Sequence, residues 1–185
     1  MDRQQKRLDL LDKRNQLPEI LRSKASEVIS GRVLSTLSPT DKVIGVYLST
    51  GSEVDLKKLI IKLWASKRTI YVPKIISKYA MQWHLFTSWD DCVTERFGIE
   101  TSKLPDQIDI SQLDVILMPC VGFDRQFNRL GMGGGYYDRA LENHVRKPRR
   151  LGIAFSVQES PGIECEPWDI PFHSIVTESE IIQPQ

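Results

Sequence analysis

The run from Arg129 to Arg139 carries the strongest chemical pattern of the chain, because four of the five positions from 131 to 135 are glycine. Glycine loses more conformational freedom on folding than other residues, so such a run is tolerated where the backbone takes positive φ or lies against a ligand. Arg129 and Asp138 belong to the same run. Clustered backbone N–H groups, a fixed positive charge and a carboxylate suit a nucleotide phosphate with a divalent metal. A glycine-rich hairpin or a flexible loop is the alternative interpretation.

The glycine run differs from the two common phosphate-binding loops. No Gly-Lys-Ser or Gly-Lys-Thr follows it, which excludes a Walker A loop, and Tyr136 stands where a dinucleotide fingerprint has its last glycine. The run would therefore bind phosphate through its own backbone donors, the start of a helix near Tyr136 and the Arg129 guanidinium. Asp138 lies in the first turn of that helix, where it either favours the helix dipole or holds Mg²⁺.

Composition narrows the class of protein. The chain has 185 residues and a formal net charge of +1, which predicts one domain over residues 1–185 and gives no electrostatic reason to expect nucleic acid as a partner. Cys92, Cys120 and Cys165 are odd in number and widely separated, so neither a disulfide framework nor a zinc site is indicated. The sequence has no secretory signal and no apolar run of membrane-spanning length. We therefore expect a cytoplasmic protein with no membrane partner and with free thiols.

The elements that must position the glycine run alternate between two periodicities. Short apolar, β-rich runs are separated by segments with helical spacing of apolar residues, which indicates an α/β domain with a mostly parallel sheet covered on both faces. The predicted helices span residues 2–16, 18–37, 56–64 and 136–145, and the predicted strands span residues 43–48, 69–72, 81–86, 115–118, 151–155 and 174–177.

Three segments carry more specific expectations. Pro73 should end the second strand, because proline cannot donate to a strand ladder. Residues 87–112 are polar and should be irregular. An apolar stripe in the second helix should face the core, and its members are Ile20, Leu21, Val28 and Ile29.

Polar segments leave the predicted carboxyl ends of several strands. In open α/β sheets, ligands bind beyond the carboxyl ends of the strands. We therefore expect these segments to meet around one cleft, formed by residues 49–53, Lys74, residues 122–138 and residues 156–158.

The glycine run and its neighbours resemble a known family. The stretch from Met118 to Arg139 resembles the signature of the 5-formyltetrahydrofolate cyclo-ligases, also called methenyltetrahydrofolate synthetases. Further segments agree with the family in order and spacing, so the resemblance covers nearly the whole chain; they are residues 47–55, 67–73, 97–100, 166–171 and 176–178.

The resemblance implies a fold, an activity and a set of site residues. The family has a three-layer α/β/α sandwich and uses ATP and Mg²⁺ to convert 5-formyltetrahydrofolate into 5,10-methenyltetrahydrofolate. Leu48 and Glu53 match folate-binding positions, and Asp138 and Asp169 match metal-associated aspartates. Arg129 is the candidate for stabilising the transferred phosphoryl group. The nucleotide loop maps onto Arg129, Leu130, Gly131, Met132, Gly133, Gly134, Gly135, Tyr136 and Tyr137. The part of this loop that also touches folate is Met132, Gly133, Gly134, Gly135 and Tyr136.

The first helix departs from the family pattern. Members usually carry a lysine and an arginine four apart there, both reaching ATP phosphates, and counting back from Arg14 places Gln4 and Leu8 at those positions. We expect Lys6 and Arg7 to replace this pair with a shifted register. The departure motivates an alternative function, a catalytically weak nucleotide- or folate-binding regulator of the same fold. The expected ligands are small molecules, and the expected state is a monomer.

Overall fold

The computed structural model describes residues 2–95, 98–144 and 147–184. Phe97 of the family-like segment 97–100 and Val145 at the expected end of the fourth helix therefore lie outside the described residues. The helices are α1 (Arg3–Gln16), α2 (Glu19–Thr36), α3 (Lys57–Ala65) and α4 (Tyr136–Leu141). The strands are β1 (Val43–Gly45), β2 (Thr69–Ile75), β3 (Met81–Leu85), β4 (Cys92–Thr94), β5 (Glu100–Ser102), β6 (Gln107–Ile108), β7 (Val115–Pro119), β8 (Gly122–Phe123), β9 (Arg129–Leu130), β10 (Arg149–Ile153), β11 (Ser174–Val176) and β12 (Ile181–Ile182).

An eight-stranded sheet in the order β12-β11-β10-β7-β1-β2-β3-β6 forms the centre of the fold. The five strands from β11 to β2 are mutually parallel, while β12, β3 and β6 pair antiparallel at the two edges. Parallel strands require crossover connections, and α3 supplies one between β1 and β2. The expected mostly parallel sheet is confirmed.

Successive residues of the central strands pack on opposite faces of the sheet, as the two-residue period of a strand requires. Val115 and Leu117 join the core formed with α2 and α3. Ile116 and Met118 join a second core that includes Leu141 of α4. Apolar side chains cover both faces, which confirms the three-layer α/β/α arrangement. None of the helices in the described ranges is long and apolar enough to cross a membrane.

The apolar stripe expected in α2 is wrong in three of its four residues. Ile20, Leu21 and Val28 are exposed, and only Ile29 is buried. The buried face of α2 consists of Ser26, Ile29, Ser30 and Val33. These positions also have helical spacing, and the small serines let the helix lie close to its neighbours, so the choice between two possible stripes depends on what packs against the helix.

The expected end of β2 at Pro73 is also wrong. The strand continues to Ile75, and Pro73 pairs with Trp83 of the antiparallel β3. On the other side of β2, the pairing with β1 ends at Tyr71, so the missing N–H of Pro73 falls where β2 has become an edge. Residues 87–112 are likewise not wholly irregular, because they contain the β4–β5 hairpin and β6.

Candidate active site

A cavity of about 660 Å³ lies beyond the carboxyl ends of β1, β2 and β7, the edge where a parallel sheet binds ligands. Its volume is in the ordinary range for small-molecule sites. It brings together most of the residues that the sequence singled out, namely Arg7, Leu48, Glu53, Arg129, Asp169 and the whole run from Gly131 to Asp138. Lys6 and Leu130 are not part of its lining.

The hairpin β8–β9 delivers the glycine run to this cavity. Phe123 pairs with Arg129, and the turn between them is organised by the buried Asp124 carboxylate. This carboxylate accepts hydrogen bonds from the backbone N–H groups of Gln126 and Asn128, each at 3.0 Å, and from the N–H of Ile163 at 2.8 Å. Arg129 therefore leaves the turn from a fixed backbone position.

The glycine run itself needs glycine at two points. Gly133 has φ +94° and Gly135 has φ +63°, both in the left-handed region that side chains disfavour. α4 begins at Tyr136 and is only six residues long, so the donors that the loop offers are its own backbone N–H groups and not a long helix dipole. Met132 is 67% exposed at the edge of the cavity.

Arg129 and Asp138 form a direct ion pair within the cavity wall. The same oxygen of Asp138, Oδ1, accepts a hydrogen bond from the backbone N–H of Ile170 at 3.1 Å. Nε of Arg129 is buried without a hydrogen-bond partner in the described structure. A buried donor without a partner is costly, so this atom fits an acceptor that arrives with a ligand, such as a phosphate oxygen.

A second ion pair links the first helix to the other predicted metal residue. Arg3 lies 2.7 Å from Oδ2 of Asp169, which also accepts from the N–H of Glu166 at 2.9 Å. Arg7, one turn further along α1, donates from Nε to the carbonyl of Gly131 at 2.8 Å. We call residues 129–138, Arg3, Arg7 and Asp169 the glycine-loop end of the cavity.

The basic residues that α1 contributes to the cavity lining near the glycine run are Arg3 and Arg7, whereas Lys6 lies outside this lining. Lys6 points to the carbonyl of Gly162 at 2.5 Å and away from the cavity lining. Residues four apart share one face of a helix, and counting from Arg14 placed the pair one residue too late, at Gln4 and Leu8. The i, i+4 spacing of Arg3 and Arg7 was the signal that could have identified Arg3.

Leu130 does not face the cavity either. Its side chain is fully buried and packs with Leu10, Val121 and Ile163. Because neighbouring strand residues point to opposite sides, the hairpin that turns Arg129 to the cavity turns Leu130 into this small core. A direct nucleotide contact of the Leu130 side chain has no support in this arrangement.

A second part of the lining, which we call the Glu53 end, comprises Tyr47, Leu48, Glu53, Arg14 and Cys120. Oε2 of Glu53 accepts a hydrogen bond from the backbone N–H of Thr50 at 2.9 Å. Burial raises the pKa of Glu53, while the bond from Thr50 and the charge of Arg14 lower it. Burial also raises the pKa of Cys120 to about 12, so this thiol is not a nucleophile at neutral pH.

The carboxylates of the cavity bear on metal binding. Within residues 2–95, 98–144 and 147–184, no group of three or more His, Cys, Asp or Glu side chains could hold a metal ion. Asp138 and Asp169 line the same cavity, and each concentrates its bonds on one oxygen, Oδ1 and Oδ2 respectively. Two carboxylates suit Mg²⁺ when phosphate oxygens and water complete its shell.

Arg14 and Trp168 also line the cavity, and neither was predicted to lie there. Arg14 is 6% exposed on α1, and its role depends on residues far along the chain. Trp168 is 64% exposed next to Asp169, and an exposed aromatic side chain cannot be distinguished from a packed one by sequence alone.

Comparison with known proteins agrees with the geometry. The sequence model of the 5-formyltetrahydrofolate cyclo-ligase family matches residues 1–178. A 5-formyltetrahydrofolate cyclo-ligase from Haemophilus influenzae is 31% identical, with 94% of this chain and 96% of the relative covered.

Two solved structures share the whole fold. A 5,10-methenyltetrahydrofolate synthetase from Aquifex aeolicus superposes with a TM-score of 0.87 at 28% identity, covering 99% of this chain and 93% of its own. The synthetase from Mycoplasma pneumoniae gives a TM-score of 0.80 at 27% identity, covering 96% of this chain and 99% of its own. The chain belongs to the 5-formyltetrahydrofolate cyclo-ligase family of enzymes.

Proposed function

We propose that this protein catalyses the ATP- and Mg²⁺-dependent cyclisation of 5-formyltetrahydrofolate to 5,10-methenyltetrahydrofolate, with release of ADP and phosphate. One observation carries the proposal beyond the family: a single cavity is lined by the glycine run, by Arg129 and by Glu53. An enzyme that transfers a phosphoryl group from a nucleotide to a folate needs both sites within one enclosure, because the reacting atoms must meet.

The reaction explains why two substrates are needed. The formyl group on N5 is an amide and a poor electrophile, so its oxygen first takes the γ-phosphoryl group of ATP and ADP leaves. N10 then attacks the activated carbon and loses its proton, the five-membered ring closes, and the C–O bond breaks with release of phosphate. The protein supplies position and charge neutralisation for this sequence and needs no nucleophile of its own.

The glycine-loop end suits the phosphate half of the reaction. The unpartnered Nε of Arg129 and the backbone N–H groups of the loop supply donors for phosphate oxygens. Arg3 and Arg7 add positive charge from one face of α1. Arg129 is our candidate for the residue that stabilises the transferred phosphoryl group, as arginines do in other phosphoryl-transfer enzymes.

Asp138 and Asp169 would hold the metal ion. When bound, Mg²⁺ neutralises charge on the phosphate oxygens of ATP. Both aspartates pair with arginines in this structure, so Arg129 and Arg3 would be released toward phosphate as the carboxylates turn to the cation.

The Glu53 end suits the pterin half of folate. The Glu53 carboxylate can accept hydrogen bonds from pterin N–H groups, and Leu48 offers an apolar surface beside it. The exposed Met132 to Tyr136 segment can contact the same ligand from the loop side.

The proposal favours an active enzyme over a catalytically weak regulator. The regulator was motivated by missing basic residues in the first helix, and Arg3 and Arg7 supply that pair. We further propose that the protein is a single-domain monomer and that it is cytoplasmic; its three free cysteines fit the reducing cytosol. Size-exclusion chromatography with light scattering tests the monomer.

The test is a direct assay of product. Purified protein is incubated with 5-formyltetrahydrofolate, ATP and Mg²⁺, and the absorbance of methenyltetrahydrofolate is followed, with ATP or Mg²⁺ omitted in turn. Product should require both. Folded protein that forms no product with all three present, or forms it equally well without ATP, would sink the proposal.

A further inference from the structure

Arg14 differs from the other arginines that line the cavity. Arg3 and Arg129 have aspartate partners, and Arg7 binds the carbonyl of Gly131. Arg14 is buried, yet among the described residues no carboxylate forms an ion pair with it. A buried charge is retained when surrounding groups use it, so the contacts of Arg14 indicate its purpose.

These contacts tie α1 to the Glu53 end. Nε of Arg14 donates to Oγ of Ser52 at 3.0 Å, and Nη1 donates to the carbonyl of Cys120 at 3.4 Å. Oγ of Ser52 in turn donates to Oδ1 of Asn15 at 2.5 Å. The residue before Glu53 is thus held from two successive positions of the helix, and Glu53 is held from Thr50.

Three titratable side chains around Glu53 in the main cavity are uncharged. Tyr47, Cys120 and Tyr137 lie within electrostatic reach of Glu53. Burial raises the pKa of all three, so each is neutral at physiological pH and leaves the Glu53 charge uncompensated.

On the side of α2 and α3, Glu53 borders a second, polar cavity of about 280 Å³. Its charged residues are Glu19, Arg22, Glu27, Asp55 and Lys58. Of the arginines that line the main cavity, Arg14 is the one whose charge lowers the pKa of Glu53.

We propose that Arg14 is the positioning residue of the Glu53 end: its hydrogen bonds to Ser52 and to the carbonyl of Cys120 fix the turn that presents the Glu53 carboxylate to pterin N–H groups. The inference rests on the proposed function, because Glu53 is given its folate role there. Arg14 acts through Glu53 and Ser52 and not on the phosphoryl group, so its loss should affect folate and spare ATP.

The first measurement compares Arg14→Gln and Arg14→Lys with the wild-type protein in binding of 5-formyltetrahydrofolate alone, by titration calorimetry. We expect Arg14→Gln to weaken binding about tenfold, as for loss of one charge-assisted contact. Arg14→Lys keeps the charge and should recover part of the loss. ATP binding should change less than about twofold in both. Because no ATP is present in the folate titration, its result does not depend on whether the wild-type protein forms product.

The second measurement is the pH dependence of the same binding, from about pH 5 to about pH 8. Folate binding needs ionised Glu53 and falls as pH drops through the pKa of Glu53. Loss of the Arg14 charge removes an influence that lowers this pKa, so the acid limb of the Arg14→Gln profile should move to higher pH. A purely structural role would weaken binding equally at all pH values.

A double-mutant cycle completes the test. In a Glu53→Gln background, Arg14→Gln should have no pH-dependent effect, because the titrating group is gone. Wild-type folate affinity in Arg14→Gln, or an unmoved acid limb, overturns the inference. If Arg14→Gln does not fold, an equal loss of ATP and folate binding in Arg14→Lys overturns the inference as well, because the proposal confines the effect to folate.

Discussion

The two ends of the cavity handle charge in different ways. At the glycine-loop end, Arg129 is paired with Asp138 and Arg3 is paired with Asp169. At the Glu53 end, the hydrogen bonds that the buried Arg14 donates within the described ranges go to neutral groups, the Ser52 hydroxyl and the Cys120 carbonyl. The ion pairs at the glycine-loop end can exchange their partners for a charged ligand. The hydrogen bonds of Arg14 at the Glu53 end can stay unchanged when a ligand binds.

This difference fits what each end would bind. A phosphate and a metal ion arrive as a charged pair, and preformed arginine–aspartate pairs can open so that each member takes the ligand of opposite sign without a bare charge at any stage. A pterin is neutral and offers N–H groups in fixed positions, so a carboxylate fixed beforehand costs little to engage. Substitutions at the glycine-loop end should therefore change turnover and metal requirement, and those at the Glu53 end should change folate affinity.

The largest effect is expected for Asp138→Asn. The substitution removes the charge that would hold Mg²⁺ and the partner of Arg129, so kcat should fall about 100-fold or more and the Mg²⁺ concentration for half-maximal rate should rise. Steady-state assays over a Mg²⁺ series measure both. Asp12→Asn, at a carboxylate that binds Gln16 on the surface of α1, is the control and should behave as the wild type. An unchanged Mg²⁺ dependence would contradict the metal role of Asp138.

For Glu53→Gln we expect a change in folate affinity, whereas Asp138→Asn should change turnover and the Mg²⁺ requirement. The amide cannot accept pterin N–H groups as a charged acceptor does, so the KM for 5-formyltetrahydrofolate should rise about tenfold while the KM for ATP stays constant. Because burial raises the pKa of Glu53, the wild-type folate affinity should decline on the acid side, and the variant should lose that decline. Glu27→Gln removes a surface partner of Lys58 and is the matched control. If ATP KM rises as much as folate KM, the two ends are not separate.

The architecture of the sheet could be predicted, because the central strands carry short apolar runs that are separated by helical segments. Val115 to Met118 is such a run, and its alternate residues enter different cores. The face of α2 could not be predicted, because Ile20 and Ile29 have equal hydrophobicity and only the tertiary contacts decide which is buried. The continuation of β2 through Pro73 depends on where its neighbour β1 ends.

In the candidate site, too, local features could be predicted from the sequence and long-range contacts could not. The glycine run could be found from the sequence because a backbone with positive φ favours glycine, as at Gly133 and Gly135. The ion pair between Arg3 and Asp169 could not be found, because the two residues lie near opposite ends of the chain. Long-range pairing is set by the fold and leaves no local pattern.

A smaller effect is expected for Gly133→Ala. The left-handed φ of +94° disfavours any side chain, so the loop should be strained by roughly 1–3 kcal/mol and the KM for ATP should rise severalfold. Gly31→Ala is a control of opposite sign: Gly31 lies inside α2 with nothing within 4 Å of an added Cβ, so alanine should stabilise the protein by about 1 kcal/mol. Thermal unfolding and ATP titration measure both variants. Equal stability changes in the two would mean that the loop conformation carries no constraint.

The smallest effect is expected for Lys6→Gln. Its comparison with Arg3→Gln separates a residue of the cavity lining from a residue outside it within the same helix. Lys6 binds the carbonyl of Gly162 outside the cavity lining, so its loss should change the KM for ATP less than about twofold. Arg3→Gln removes a charge on the lining and the partner of Asp169, so the KM for ATP should rise severalfold, with a steeper Mg²⁺ dependence. Because the two residues lie less than one turn apart, an effect of general helix destabilisation would appear in both variants. If the KM for ATP rises as much in Lys6→Gln as in Arg3→Gln, or more, Lys6 contacts the phosphates. The phosphate-binding face of α1 would then include Lys6 and would not be the Arg3–Arg7 pair.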